Sequence, residues 1–454
     1  MSKQYVQSEA QSVANVNAFP SSSSVNTEEK TRMSSLTILV IVSCWFAILA
    51  DGYDLGIYGA VLPKLLEYQA WGLTPASAGV IASYALFGML IGAILVGTIT
   101  DLIGRKWTLI ACLVLFSITM ALSAMATTPE MFGFVRFIGG IGLGGVIPTA
   151  SALTIEYSPV KRRSLAYAIM FTGYSFGIVL GALLSILLLE EYGWRFMFWI
   201  GAVPLLIVPF LIRYIPESLS FLVMKGRRRE AEEICKRYDL DMPEQEHKEE
   251  HGSQGRWQGI STLFSKPYIK ATLLFWVVDI MAMFLIYGLN TWLPQMMRKA
   301  GYPLGSSLSF LLMLNLTAVV GVLIAGAIAD RWGSKRVISI SYFLAAAAIA
   351  FLSIKSSLLV VYILVGIAGF GSVGITQILN AYVTKYYPPH ARATALGWML
   401  GFGRIGAISG PILIGVFMSM QFDMVWNFYI FAIAGLLACI AVLLIPVKDD
   451  DRVI

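Results

Sequence analysis

Asp51 and Asp54 are the only charged residues in an otherwise apolar stretch spanning 34–60. Three positions apart, they share one face of a helix. A charge at such depth costs at least about 2–3 kcal/mol on membrane-insertion scales, so an acid there is rarely idle. Its natural chemistry is to bind and release a proton as its exposure changes. The plainer alternative is a buried ion pair with Arg136, which lies some six residues into the apolar run 130–154. Arg136 has two possible roles, partner to the aspartates or anchor for a substrate carboxylate, which a guanidinium grips bidentately. Arg404, about a dozen residues into the run 393–418, also needs an anion. Asp279 in the run 270–294 is the candidate within the same half; failing that, a substrate carboxylate would serve.

The elements that hold these charges are membrane helices. The 454 residues are 57% hydrophobic and 13% charged, against roughly 45–50% and about 25% in ordinary soluble domains. The stretch from Lys225 to Glu250 takes 16 of the charges, leaving long segments almost bare. A soluble enzyme, a disulfide-rich secreted domain and a nucleic-acid binder are excluded. The four cysteines form no CxxC pair, and neither a metal site nor a cofactor motif occurs. Apolar runs of about 20 residues fall near 34–60, 76–100, 107–127, 130–154, 165–188 and 195–215, then near 270–294, 305–329, 336–354, 358–383, 393–418 and 425–447. That makes twelve, in two groups of six. Placing the N-terminus inside puts 26 of the 33 Lys/Arg in inside segments and 5 in outside loops. The positive-inside rule then sets both termini in the cytoplasm, and topology accounts for the net charge of +6.

The two groups repeat one another. Gly97-Thr-Ile-Thr-Asp101-Leu-Ile-Gly104-Arg105-Lys106 matches Gly326-Ala-Ile-Ala-Asp330-Arg-Trp-Gly333-Ser-Lys335 at an offset of 229. The same offset carries Glu156-Tyr157-Ser158-Pro159 onto Lys385-Tyr386-Tyr387-Pro388 and Arg163 onto Arg392. It also carries Gly140, Gly142 and Gly145 onto Gly369, Gly371 and Gly374, and Tyr58-Gly59 onto Tyr287-Gly288. The fold class is therefore an all-α membrane protein of twelve transmembrane helices in two pseudo-symmetric six-helix bundles. The expected organisation is a disordered cytoplasmic tail (1–33), an N-terminal bundle (34–215), a cytoplasmic linker (216–269), a C-terminal bundle (270–447) and a cytoplasmic C-terminus (448–454). Parallel repeats imply a substrate site between the bundles near the midplane, reached by rocking.

Here the sequence resembles the major facilitator superfamily. Gly97 to Lys106 is similar to its motif between helices two and three, and Pro216-Glu217-Ser218-Leu219-Ser220-Phe221-Leu222 to its PESPRFL-type motif after helix six. Asp51-Gly52-Tyr53-Asp54 resembles the aspartate pair of the aromatic acid:proton symporters, the branch of benzoate and 4-hydroxybenzoate permeases. The segment from Tyr387 to Ile408 is similar to helix eleven of that branch. The resemblance implies import of an aromatic carboxylate with protons by a multi-pass protein of the cell inner membrane. It also favours Asp51/Asp54 as the coupling site, with Asp54 the preferred titrating group.

On that reading Arg404 and Arg136 are carboxylate ligands. Asn290, Gln377 and Asn380 line the cavity, and Tyr53, Tyr58, Tyr287 and Trp292 are available to stack on a ring, Trp292 and Tyr287 being best suited. Asp101, Arg105 and the equivalent Asp330 are expected to latch the two bundles, with Glu156 and Arg392 as gate charges. Gly173, Gly177 and Gly181, like Gly397 and Gly401, have the spacing of close helix packing. No cofactor, metal or nucleic acid is expected, and a monomer suffices within the lipid bilayer. The alternatives are the same fold carrying nicotinate, muconate, another organic anion or a sugar, and a transport-inactive nutrient or chemotaxis sensor. An embedded enzyme is disfavoured by the lack of a nucleophile or His/carboxylate constellation.

Overall fold

The computed structural model describes residues 33–238, 240, 242, 254–420 and 422–446. In the first half, α1 (Ser35–Glu67), α2 (Pro75–Ile103), α3 (Arg105–Met125) and α4 (Pro129–Glu156) are followed by α5 (Arg163–Gly201) and α6 (Pro204–Tyr214). Three short linker helices follow: α7 (Leu219–Met224), α8 (Arg228–Tyr238) and α9 (Gln254–Leu263). The second half comprises α10 (Ile269–Lys299), α11 (Leu304–Trp332), α12 (Ser334–Phe351), α13 (Leu358–Gly369), α14 (Thr376–Tyr386), α15 (Arg392–Ser419) and α16 (Val425–Leu444). The expected tail up to residue 32, the expected C-terminus and the linker residues 239, 241 and 243–253 lie outside the described residues.

Helix starts follow local chemistry. Ser34 caps α1 by accepting from the Thr37 amide (3.1 Å), and Thr74 with Ser77 forms a capping box ahead of Pro75 on α2. Large apolar side chains remain exposed on the outer surface, Ile94 at 68% and Leu206 at 78%, as lipid-facing helices require.

Among the described residues, eleven helical runs are long and apolar enough to cross a bilayer, and one of them, Arg163–Tyr214, has 52 residues. At about 1.5 Å per residue that run is more than twice the roughly 30 Å hydrocarbon thickness. It turns at Gly193, whose φ of 76° leaves the helical region. Ser185 Oγ accordingly meets Met197 Sδ at 3.9 Å across 12 residues, where a straight helix would separate them by about 18 Å. Two crossings result, and the total is twelve.

The repeat reaches the backbone. The offset of 229 carries α2 onto α11 end to end, and the 3₁₀ turn Val160–Arg162 onto Pro389–Ala391. The positive-φ glycines Gly72 (53°) and Gly104 (93°) map onto Gly301 (93°) and Gly333 (85°). The packing of the fifth helix on the first repeats too. A Cβ at Gly177 would overlap the Leu49 carbonyl, and at its equivalent Gly406 the Ile280 carbonyl. Gly181 and its equivalent Gly410 face Gly56–Ile57 and Phe284 in the same way. Symmetry breaks at Phe370–Gly374, a π-helical turn between α13 and α14 where α4 runs through the matching positions as one α-helix, and at the sixth crossing, which is interrupted between α5 and α6 but continuous in α16.

The halves meet on the face opposite the linker. A Cβ at Gly59 of α1 would overlap the Asn290 carbonyl of α10, and one at Gly79 of α2 the Pro411 carbonyl of α15. Ser83 Oγ donates to Ile408 O (2.7 Å), the Ala76 amide donates to Ser419 Oγ (2.8 Å), and Arg298 pairs with Glu67. Nearer the linker, α2 and α15 diverge: a Cβ at Gly97, Gly397 or Gly401 would meet nothing within 4 Å. The packing role expected of Gly397 and Gly401 is therefore corrected. The glycines by which α15 seats on α10 are Gly403, Gly406 and Gly410. Gly397 and Gly401 instead border an open hollow of about 340 Å³ with Trp398, Phe402 and Ile405.

Candidate transport site

The buried charges sort into two groups. In the first, Arg136 of α4 forms an ion pair with Asp54 of α1, both side chains about 95% or more buried. The guanidinium lies under the rings of Tyr58 (5.5 Å) and Phe198 (5.9 Å), so its charge meets one carboxylate and two π-faces. All these groups belong to the first half. Tyr58 donates to Ala78 O (2.6 Å), and Tyr53 to Met197 O (2.7 Å), which ties both phenols into that bundle.

The second group spans the interface. Asp51, one turn before Asp54, has a buried Oδ1 with no hydrogen-bond partner and interacts electrostatically with Arg404 of α15. Asp279 of α10 also acts on Arg404. The Tyr287 and Tyr174 hydroxyls lie beside the same guanidinium and 3.4 Å from each other. Arg404 is thus surrounded by α1 and α5 of one half and α10 of the other. Both carboxylate oxygens of Asp279 are buried without a hydrogen-bond partner. A Cβ at Gly403 would overlap Asp279 Oδ2, so a larger residue there would displace that carboxylate from this position.

Other expected ligands are engaged elsewhere. Trp292 is fully buried and its indole N–H donates to Pro411 O (2.9 Å) within the second half, so it offers no ring face to a cavity. Asn290 donates to Ile286 O (2.7 Å) and accepts from Asn315 Nδ2 (2.9 Å), a buried amide pair rather than a cavity lining. In this arrangement both side chains are engaged within the second half. An apolar helix carries no mark of which face its polar residues take, and Asn315, which completes the pair, was not singled out. Gln377 is half-buried on α14 just after the π-helical turn, and Asn380 one turn on has a buried Oδ1 without a hydrogen-bond partner. Such turns concentrate at functional sites.

On the linker face, Arg105 of α3 pairs with Glu156 of α4, and Ser218 Oγ donates to the same carboxylate (2.7 Å). Glu217, which sequence reasoning quoted only as motif, accepts from the Lys106 amide (3.0 Å) and the Ser218 amide (2.8 Å). It thereby caps α3, whose start at Gly104 leaves no space for a Cβ beside that carboxylate. Tyr157 donates to Glu217 O, and Thr37 donates to Tyr157 O (2.6 Å). These contacts join elements of the first half to one another, whereas a latch between bundles was expected. In the second half Arg392 donates to Tyr387 O (3.1 Å), Lys335 to Ile445 O (2.6 Å), and Asp330 is exposed. The side chain of Asp101 lies outside the described residues.

Twelve crossings in two repeated bundles around a shared cluster of buried charges define a secondary-transporter architecture. The chain matches the Major Facilitator Superfamily over residues 44–324 and 306–453, and it belongs to that family. It is a transporter rather than an enzyme. It is 37% identical to the benzoate transport protein of Acinetobacter baylyi, with 89% of each chain covered. It is 35% identical to the gentisate transporter of Corynebacterium glutamicum, over 90% of this chain and 87% of that one. Its fold is similar to that of the xylose transporter XylE of E. coli in a partially occluded inward-open conformation, with a TM-score of 0.72, 18% identity and 93% and 100% of the two chains covered.

Proposed function

We propose that the protein imports an aromatic carboxylate, of the benzoate or hydroxybenzoate kind, together with protons across the cell inner membrane, with both termini in the cytoplasm. The observation that carries this reading is Arg404, a cation at the bundle interface faced by Asp51 and Asp279 and flanked by two phenols. A guanidinium so placed binds a carboxylate, and Tyr174 and Tyr287 present hydroxyls and ring surface to an aromatic acid.

The two aspartates of α1 then divide the work. Asp54 holds Arg136 and serves as structure; Asp51 competes with substrate for Arg404. When Asp51 binds a proton it gives up its claim on the guanidinium, which frees Arg404 for the substrate anion. Proton and substrate thus enter together, each improving the other's binding, as coupled transport demands. With proton and substrate loaded, the bundles at 34–215 and 270–447 rock about the cluster while the linker at 216–269 holds them together. The gate charges Arg105, Glu156 and Arg392, with Asp101 and Asp330, stabilise the linker face in its two arrangements. The protein works as a monomer in the bilayer.

Binding of benzoate, 4-hydroxybenzoate, nicotinate and hexoses in competition with labelled benzoate tests the substrate class. The first two displace the label and hexoses leave it untouched; displacement by hexoses and by neither aromatic acid contradicts the reading.

A further inference from the structure

The charge count at the interface gives Asp279 a role that neither the repeat nor the aspartate pair of α1 supplies. Asp54 and Arg136 neutralise one another and drop out. Around Arg404 there remain Asp51 and Asp279, two carboxylates for one guanidinium. Adding a substrate carboxylate makes three anions around one cation. Closing an apolar site over two uncompensated charges is prohibitive, because each unpaired buried ion costs several kcal/mol or more. One proton on Asp51 removes only one of them.

The surroundings of Asp279 fit a carboxyl that takes the other. It is fully buried, and neither oxygen has a hydrogen-bond partner that would fix it as an anion. The groups facing it are Arg404 on α15, Asp51 on α1 beyond that guanidinium, and the fully buried phenol Tyr342 on α12, itself without a hydrogen-bond partner. On α14, Tyr382 packs one turn away against Phe275. None of these is a second cation. The offset of 229 maps Asp279 onto Ala50, one residue from Asp51, so the two acids approach Arg404 from nearly equivalent places in the two halves.

We infer that Asp279 is a second proton-binding residue of the transport cycle, loading together with Asp51, so that one aromatic carboxylate crosses with two protons. The balance is one negative and two positive charges per cycle, a net inward movement of one positive charge. A carrier using Asp51 alone moves no net charge. The inference rests on the symport reading above and sharpens its stoichiometry.

The test uses the full chain in proteoliposomes at equal pH on both sides, with labelled benzoate and an inside-negative potassium diffusion potential set by valinomycin. Equal pH cancels the passive distribution of benzoic acid, and empty liposomes report the remaining leak. The wild type should accumulate benzoate several-fold above empty liposomes from the potential alone. Asp279→Asn should lose that response while keeping benzoate counterflow, which requires no net proton movement. Asp279→Ser serves in the same way if the asparagine variant is not monodisperse. A wild type that exchanges benzoate but ignores the potential overturns the inference and leaves symport standing. A folded Asp279 variant that still accumulates benzoate on the potential, or that no longer exchanges it, overturns it also. Absence of any protein-dependent exchange in the wild type contradicts the symport reading itself.

Discussion

Breaking the Asp54–Arg136 pair leaves a buried charge with no counter-ion, which typically costs about 3–5 kcal/mol. Arg136→Ala and Asp54→Ala should each lower the apparent melting temperature strongly, and the double replacement by apolar residues of similar volume should recover much of it. If Asp54→Ala alone leaves stability unchanged but abolishes coupling, Asp54 rather than Asp51 is the titrating group. Asp51→Asn should keep benzoate counterflow and lose accumulation driven by a pH gradient; full gradient-driven accumulation by that variant contradicts its coupling role. Arg404→Ala should raise the half-saturation concentration for benzoate at least tenfold, the effect of losing about 1.4 kcal/mol, while changing that for benzamide far less. The sequence exposed these charges because each interrupts an apolar run. It could not apportion them, since Asp51 and Asp54 share one face and one turn decides which meets Arg136. The hydrogen-bond partners of Trp292 and Asn290 were not legible for a related reason: hydropathy that is high all round a helix gives no orientation.

At the scale of elements, the glycines separate into those that seat helices and those that stand open. Gly177→Leu and Gly406→Leu place carbon atoms inside the backbone of α1 and α10 and should abolish folded protein, read as loss of the monodisperse peak. Gly397→Leu and Gly401→Leu meet no obstacle in this arrangement and should fold normally. The contact of α2 with α15 is antiparallel: Gly79 faces Pro411 and Ser83 faces Ile408. Continued in that register, it brings Leu90 to Gly401 and Ile94 to Gly397 once the linker face closes. Cysteines at Leu90 and Gly401 should therefore crosslink only during turnover, and the crosslink should stop uptake; efficient crosslinking of the resting protein contradicts that motion. Nearer the linker, Glu217→Ala removes the cap of α3 and should cost about 1 kcal/mol of stability. The offset of 229 in the sequence matched elements almost to the residue. The π-helical turn at Phe370–Gly374 was not legible, because its glycines align with those of an ordinary helix in α4.

For the whole molecule, the scarcity of charge sets both the fold and the cycle. Twelve apolar segments, a repeat and a highly charged linker were readable from composition and spacing, because the bilayer dictates length and hydropathy directly. What the bilayer does not dictate, namely which face is closed and which charges meet, came only from packing. The halves are joined by Gly59, Gly79, Ser83 and the Glu67–Arg298 pair opposite the linker, and the Arg404 cluster lies between them. The central claim is that this cluster couples an aromatic carboxylate to protons. It is tested most directly by labelled benzoate uptake into proteoliposomes under an imposed pH gradient, acidic outside, compared with empty liposomes and with Asp51→Asn. The account predicts accumulation above the passive level in the wild type, collapse of that excess by a protonophore, and its absence in Asp51→Asn. Wild-type uptake equal to that of empty liposomes, or an excess that survives the protonophore, would contradict it.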